Sequence, residues 1–298
     1  MVEIQKILCP MDFSSTSLRA ADYAIALAAN YKAELHLLHV VSPVLYSADQ
    51  YAFNVGEIVL AMEKQAARDM KKVEKKARAS GVEFREQIRT GNVENEIRAA
   101  ITSTNADLLV MGTHGLRGIE KWFMGSATEK MLRRSPVPML ITRDTMKAGK
   151  APPAVRRILV TTDFSEGTEN ALDYAFSLAQ ESQAKITLLH VISDHAPANI
   201  EGGGPALSVS VRRRLEKMIP ESARDWCEAD VRVVYGSPYA VILKTLASRK
   251  IDLLIMNIHG KGMLDRALLG STAERVVRAA DCPVMLIPPM KTAKRRAA

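Results

Sequence analysis

The stretch Asp107-Leu108-Leu109-Val110-Met111-Gly112-Thr113-His114-Gly115, followed by Gly125-Ser126-Ala127-Thr128-Glu129, has the residue types that can hold a phosphate. Glycines let backbone approach an anion, and a helix start capped by Ser126 offers unpaired N–H groups and the positive end of its dipole. The spacing is Gly112-x2-Gly115-x9-Gly125-Ser126. It is neither the Walker A pattern nor the Gly-x-Gly-x-x-Gly of dinucleotide folds. A lone Gly-x2-Gly also suits a plain strand-to-helix turn, and the full spacing behind a buried strand is what favours an anion. Asp12 in Cys9-Pro10-Met11-Asp12-Phe13-Ser14 is a carboxylate just past the first strand. It suits an Asx turn or a helix cap, and either would fix its oxygens at the strand end.

Positioning these residues takes a strand before each loop and a helix after it. Glu3–Pro10, Glu34–Val41, Val82–Arg89, Asp107–Gly112 and Val137–Thr142 read as strands. Helical periodicity covers Ser14–Ala29 with Ser14 or Ser15 as cap, Glu57–Ala79 stopped by Gly81, Val93–Ser103, and Ser126–Arg134 with Ser126 at its head. Ser42–Val55 reads as a loop. The alternation βαβαβαβαβ predicts a doubly wound parallel sheet. A strand order of 3-2-1-4-5 reverses direction between strands one and four, where ligands of such sheets bind. Those strands end at Pro10–Asp12 and Met111–Gly112, so the two candidate stretches converge on one crevice.

The whole pattern occurs twice. Lys6–Ser42 aligns with Arg157–Ser193 without a gap, with 17 of 37 positions identical. Asp107-Leu108-Leu109 falls on Asp252-Leu253-Leu254, and Gly125-Ser126 on Gly270-Ser271. A repeat of this length is a duplicated domain. The expected divisions are a first domain at 1–145, a Pro-bearing linker at 146–154, a second domain at 155–290 and a basic tail at 291–298. In the second domain Gly202-Gly203-Gly204-Pro205 marks a loop, and Pro220 breaks or ends the second helix.

Four motifs, in order and in both halves, resemble the universal stress protein family: the Gly-x2-Gly-x9-Gly-Ser loop, Ile7–Ser14, Leu37-Leu38-His39-Val40 and Pro136–Ile141. The chain is identified as a tandem member. The resemblance implies two Rossmann-like, five-stranded α/β domains of the adenine nucleotide alpha hydrolase-like type. By the same resemblance, Val40 offers its backbone to an adenine edge, and Pro10 and Met111 line the base pocket. Asp12 faces the adenosine end, and Gly112, Gly115, Gly125, Ser126, Ala127 and Thr128 hold ribose and phosphates. In the second domain Asp163, Val191, Gly260, Gly270 and Ser271 match, while Thr161 replaces the proline and Asn257 the first glycine. An asparagine side chain there is expected to fill space that glycine leaves open for ribose, weakening the second site. The implied ligand is ATP or AMP, with Mg²⁺ accompanying ATP, in a regulatory protein of the stress response that acts on a protein partner. The alternatives are a slow ATPase and a nucleotide-free interaction module. Against an enzyme, no His-x-Gly-His motif is present and Asp12 is the sole evident base. The last strand of each domain, Val137–Thr142 and Pro283–Pro288, is implied to join the two domains as an intramolecular pseudo-dimer, and two chains could form a homodimer.

Composition narrows the classes further. Hydrophobic residues are 47%, charged residues 25% and aromatics only 5%, which suits helices on a parallel sheet. The net charge of +8 falls partly on Lys147, Lys150 and the tail residues Lys291, Lys294, Arg295 and Arg296. No basic face interleaved with aromatics accompanies it, so nucleic acid is not an expected partner. There is neither an apolar run of membrane length nor a signal pattern, and a cytoplasmic location is expected. Cys9, Cys227 and Cys282 are too few and too scattered for a disulfide framework or a zinc site, and Cys9 and Cys282 read as packing residues. His39 and His114 lack a metal-ligand spacing and read as structural, and Ser14 reads as a cap.

Overall fold

The computed structural model describes residues 2–42, 55–113, 125–143, 154–165, 167–193, 205–258 and 270–288. The chain divides into two compact units, Glu3–Pro152 and Pro153–Ala298, the latter taking in Met1–Val2. His114, Gly115, Gly260, most of the 42–55 loop, the second-domain glycine run, nearly all of the linker and the basic tail lie outside the described residues.

The first unit runs β1 (Lys6–Pro10), α1 (Ser15–Tyr31), β2 (Glu34–Val41), α2 (Val55–Ala79), β3 (Phe84–Thr90), α3 (Val93–Thr104), β4 (Leu108–Gly112), α4 (Ser126–Arg134) and β5 (Met139–Thr142). The strands are parallel in the order β3-β2-β1-β4-β5, as the alternation predicts. In β4 every residue is buried, and in β1 all but Lys6, because helices cover both faces of a parallel sheet. Helix α1 turns a stripe of Ala20, Ala21, Ala24, Ile25 and Ala28 inward, small enough to bring its axis close to the sheet. Helix α2 buries Ala66, Met70, Val73 and Ala77 at helical spacing, and Gly81 ends its final turn at φ +68°, where glycine carries no steric cost.

The second unit repeats this as β6 (Arg157–Thr161), α5 (Thr168–Ser182), β7 (Lys185–Ile192), α6 (Pro205–Lys217), β8 (Ala229–Tyr235), α7 (Pro238–Arg249), β9 (Leu253–Asn257), α8 (Ser271–Ala279) and β10 (Val284–Ile287). Its order is β8-β7-β6-β9-β10. Helix α6 ends three residues short of Pro220, which opens a single 3-10 turn over Glu221–Ala223.

Strand β1 begins at Lys6 and not at Glu3. The N–H groups of Gln5 and Lys6 both donate to Asp107 Oδ2, at 3.0 and 2.9 Å, instead of entering a ladder. Asp252 does the same for Arg156 and Arg157, at 3.0 and 2.9 Å. The repeated aspartate is therefore a clamp between the starts of the two strands that flank the switch point. Cys9 and Cys282 are packing residues, with burial pushing both thiols up to about 12.

Candidate functional site

Strands β1 and β4 are neighbours, so Pro10–Asp12 and Met111–Thr113 leave the sheet side by side at its carboxyl end. Beyond β1, Asp12 Oδ1 accepts from the Ser14 N–H at 3.0 Å and the Ser14 hydroxyl at 2.6 Å. This is the expected Asx turn. It forces Phe13 into the left-handed region at φ 62°, and Ser14 then caps α1 through the Ser17 N–H at 3.3 Å. The turn is held from β2 as well. His39 Nδ1–H donates to the Met11 carbonyl at 2.8 Å, and the imidazole stacks on Phe13 with centroids 4.8 Å apart. The second unit repeats the turn and its brace: Ser165 N–H to Asp163 Oδ1 at 3.0 Å, Phe164 at φ 60°, His190 Nδ1–H to the Thr162 carbonyl at 2.8 Å, and rings 4.6 Å apart. His39 is thus structural, as its spacing suggested. Its specific job, bracing the turn that carries Asp12, has no signal in the sequence beyond its recurrence.

On the β4 side, Thr113 N–H donates to the Thr142 carbonyl, and Gly125 N–H returns to the Thr113 carbonyl at 2.7 Å. The chain that leaves β4 therefore comes back to its tip before α4 starts. Ser126 is not the cap of that helix. Gly125 holds the cap position and no side chain bonds there, leaving exposed Ser126 as the first helical residue. Gly270 and Ser271 repeat the arrangement at α8. Among the described residues no side chain caps the first-turn N–H groups of α4, the state an anion requires of them. Thr128 is buried, and its hydroxyl donates to the Gly112 carbonyl at 2.8 Å, which ties α4 to β4. Val40 is half-buried near the end of β2, and Pro10 and Met111 are buried.

Gly112 is packed against the start of α1. A Cβ there would stand 2.7 Å from the Thr16 carbonyl oxygen and 3.1 Å from the Ser17 nitrogen. The glycine makes room for the first turn of α1. Asn257, at the matching place, changes that contact. With its amide turned to satisfy both ends, it donates to the Gly167 carbonyl at 2.9 Å and accepts from the Thr168 N–H and the Ser165 hydroxyl, both at 3.2 Å. Helix α5 accordingly starts at Thr168, the position of Ser17 in the repeat, two residues later than α1. Asn257 thus occupies the space beside the helix start and serves as its cap.

The ladders at the switch point also differ. In the first unit β1 and β4 pair only at Ile7↔Leu108 and Leu8↔Leu109. In the second, β6 and β9 pair at three positions, ending at Val160↔Ile255.

Two doubly wound halves, each with an Asp-bearing turn beside a Gly-headed helix, define a tandem Rossmann-like α/β protein. The chain belongs to the universal stress protein family, whose sequence profile matches residues 3–143 and again 154–288. It is similar to a universal stress protein of Mycolicibacterium smegmatis, 26% identical over 296 residues, covering 95% of this chain and 97% of the relative. A universal stress protein of Methanocaldococcus jannaschii is 34% identical over 145 residues, 48% of this chain and 84% of that protein. The crystal structure of a universal stress protein from Archaeoglobus fulgidus has the same fold, with a TM-score of 0.73 at 24% identity over 95% of this chain and 96% of that one. Among the described residues no helix is long and apolar enough to cross a membrane, and no group of three His, Cys, Asp or Glu residues could hold a metal ion.

Proposed function

We propose that the first domain binds an adenine nucleotide, ATP or AMP, and that the chain is a regulatory protein of the stress response whose partner-binding surface responds to occupancy. The observation that carries this reading is that the braced Asp12 turn and the Gly125-headed start of α4 lie at the ends of adjacent strands. The parts fit the ligand. The N–H groups at Ser126, Ala127 and Thr128 suit a polyphosphate, and a carboxylate with a fixed oxygen suits a ribose hydroxyl. Pro10, Met111 and the Val40 backbone suit the base, and Gly115 would complete the loop. Mg²⁺, where ATP brings it, would be held chiefly by the phosphates.

The second domain keeps Asp163, Val191, Gly270 and Ser271, and Gly260 in sequence. Its crevice is altered on two sides, by Asn257 capping α5 and by the longer β6–β9 ladder, so we take it to bind more weakly. Binding rather than turnover is the role we assign, since Asp12 already engages Ser14 through one oxygen.

Titration calorimetry of the whole chain with ATP and with AMP tests this. One site of micromolar affinity, about −8 kcal/mol, abolished or weakened at least tenfold by Asp12→Asn, is expected. Two equal sites would overturn the preference for the first domain. No binding of either nucleotide would leave the interaction module, and steady phosphate release would make the protein an ATPase.

A further inference from the structure

The early end of the β1–β4 ladder has a chemical cause in a single residue. Along β1, residues alternate between neighbours, as parallel pairing requires. The Met11 N–H goes to the Leu38 carbonyl of β2, so the nitrogen of residue 10 points toward β4. The next rung, closing Cys9 on Val110, needs an N–H at position 10 donating to the Val110 carbonyl. Pro10 has none. At the same place in the second domain Thr161 supplies an N–H, and the rung Val160↔Ile255 is present. On their other sides the strands pair on: β1 with β2 through Pro10↔Leu38, and β4 with β5 through Gly112↔Thr142. Among the described residues of the first unit, it is the β1–β4 ladder that stops short, at the switch point where Pro10 lies.

We infer that Pro10 is a positioning residue for the nucleotide: by withholding one N–H it keeps β1 and β4 unzipped at the crevice floor and leaves the Val110 carbonyl without its rung from β1. The flat base of an adenine nucleotide, whose amino group is a donor, takes the opening. Thr161 zips the equivalent floor one rung further in the second domain. This rests on the nucleotide reading above and adds to it the residue that sets the depth of the site.

Pro10→Val in the full-length chain, which restores the N–H and stays apolar, tests the inference with ATP as probe. Three readouts are expected together. ATP affinity falls at least tenfold in calorimetry, the melting temperature holds or rises, and the residue 10 amide is protected from hydrogen exchange. A purely structural proline would instead lower stability when replaced. Unchanged ATP affinity in Pro10→Val overturns the inference, and so does a loss of affinity with a freely exchanging residue 10 amide, because the rung would not then be the cause. If the unaltered chain binds no ATP, the nucleotide reading fails and this inference falls with it, an outcome distinct from binding by both proteins alike.

Discussion

Gly112 sits directly beneath Thr16, with a would-be Cβ 2.7 Å from that residue's carbonyl oxygen. The clash is with backbone, which cannot swing aside as a side chain would. Gly112→Ala is therefore expected to cost about 1–3 kcal/mol, the usual penalty of overpacking, read as a lowered midpoint in urea unfolding. The displaced first turn of α1 carries Ser14, so nucleotide affinity should fall as well. Wild-type stability in this variant would contradict the contact.

Asn257 does for α5 what Ser14 does for α1, but from a strand. Asn257→Ala leaves the Thr168 N–H and the Gly167 carbonyl without these bonds and should cost about 1 kcal/mol, the ordinary worth of an N-cap. Urea titration of the variant measures it. Asn257→Asp should keep most of the stability, since its carboxylate still accepts from Thr168.

Asp107 and Asp252 each accept two backbone N–H groups at a strand start. Replacing either with alanine removes charge-assisted bonds and should cost about 1.5–3 kcal/mol. Asp107→Asn, which can keep one carbonyl acceptor, should lose less. Wild-type stability in Asp107→Asn would mean the charge contributes nothing, and a loss equal to that of alanine would mean the neutral acceptor retains nothing.

His36 gives the protein a pH dependence. It is 4% exposed in β2, neither ring nitrogen has a hydrogen-bond partner among the described residues, and Glu34 Oε2 is 3.5 Å away. Burial is the largest influence and lowers its pKa below 6.5. Glu34 opposes that shift, and Lys6 and Arg85 add to it. The unfolded chain therefore takes up the proton first, and stability is intact above about pH 6.5 and declines as the pH falls below it. Thermal melts from pH 7.5 to 5 should show the decline. His36→Thr, which imports the residue at the matching place, Thr187, should flatten it. An unchanged slope in that variant would rule His36 out as the source.

Local chemistry dictated much of this protein. The periods of two and near four residues placed β2 at Glu34–Val41 and α4 at Ser126–Arg134 as observed, and alternating strands and helices admitted little but a parallel doubly wound sheet. The duplication, the Asx turn at Asp12 and the buried cysteines were equally legible, because each depends on neighbours in sequence or on composition. Contacts between residues far apart in the chain were not. That Gly112 yields to Thr16, that Asn257 caps a helix ninety residues earlier and that His39 braces the turn at Phe13 all depend on which strand ends lie together. The proline at position 10 shows the division most clearly. Its missing N–H is plain from the letter alone, yet only folding decides that the vacancy faces β4 at the point where the sheet reverses its order.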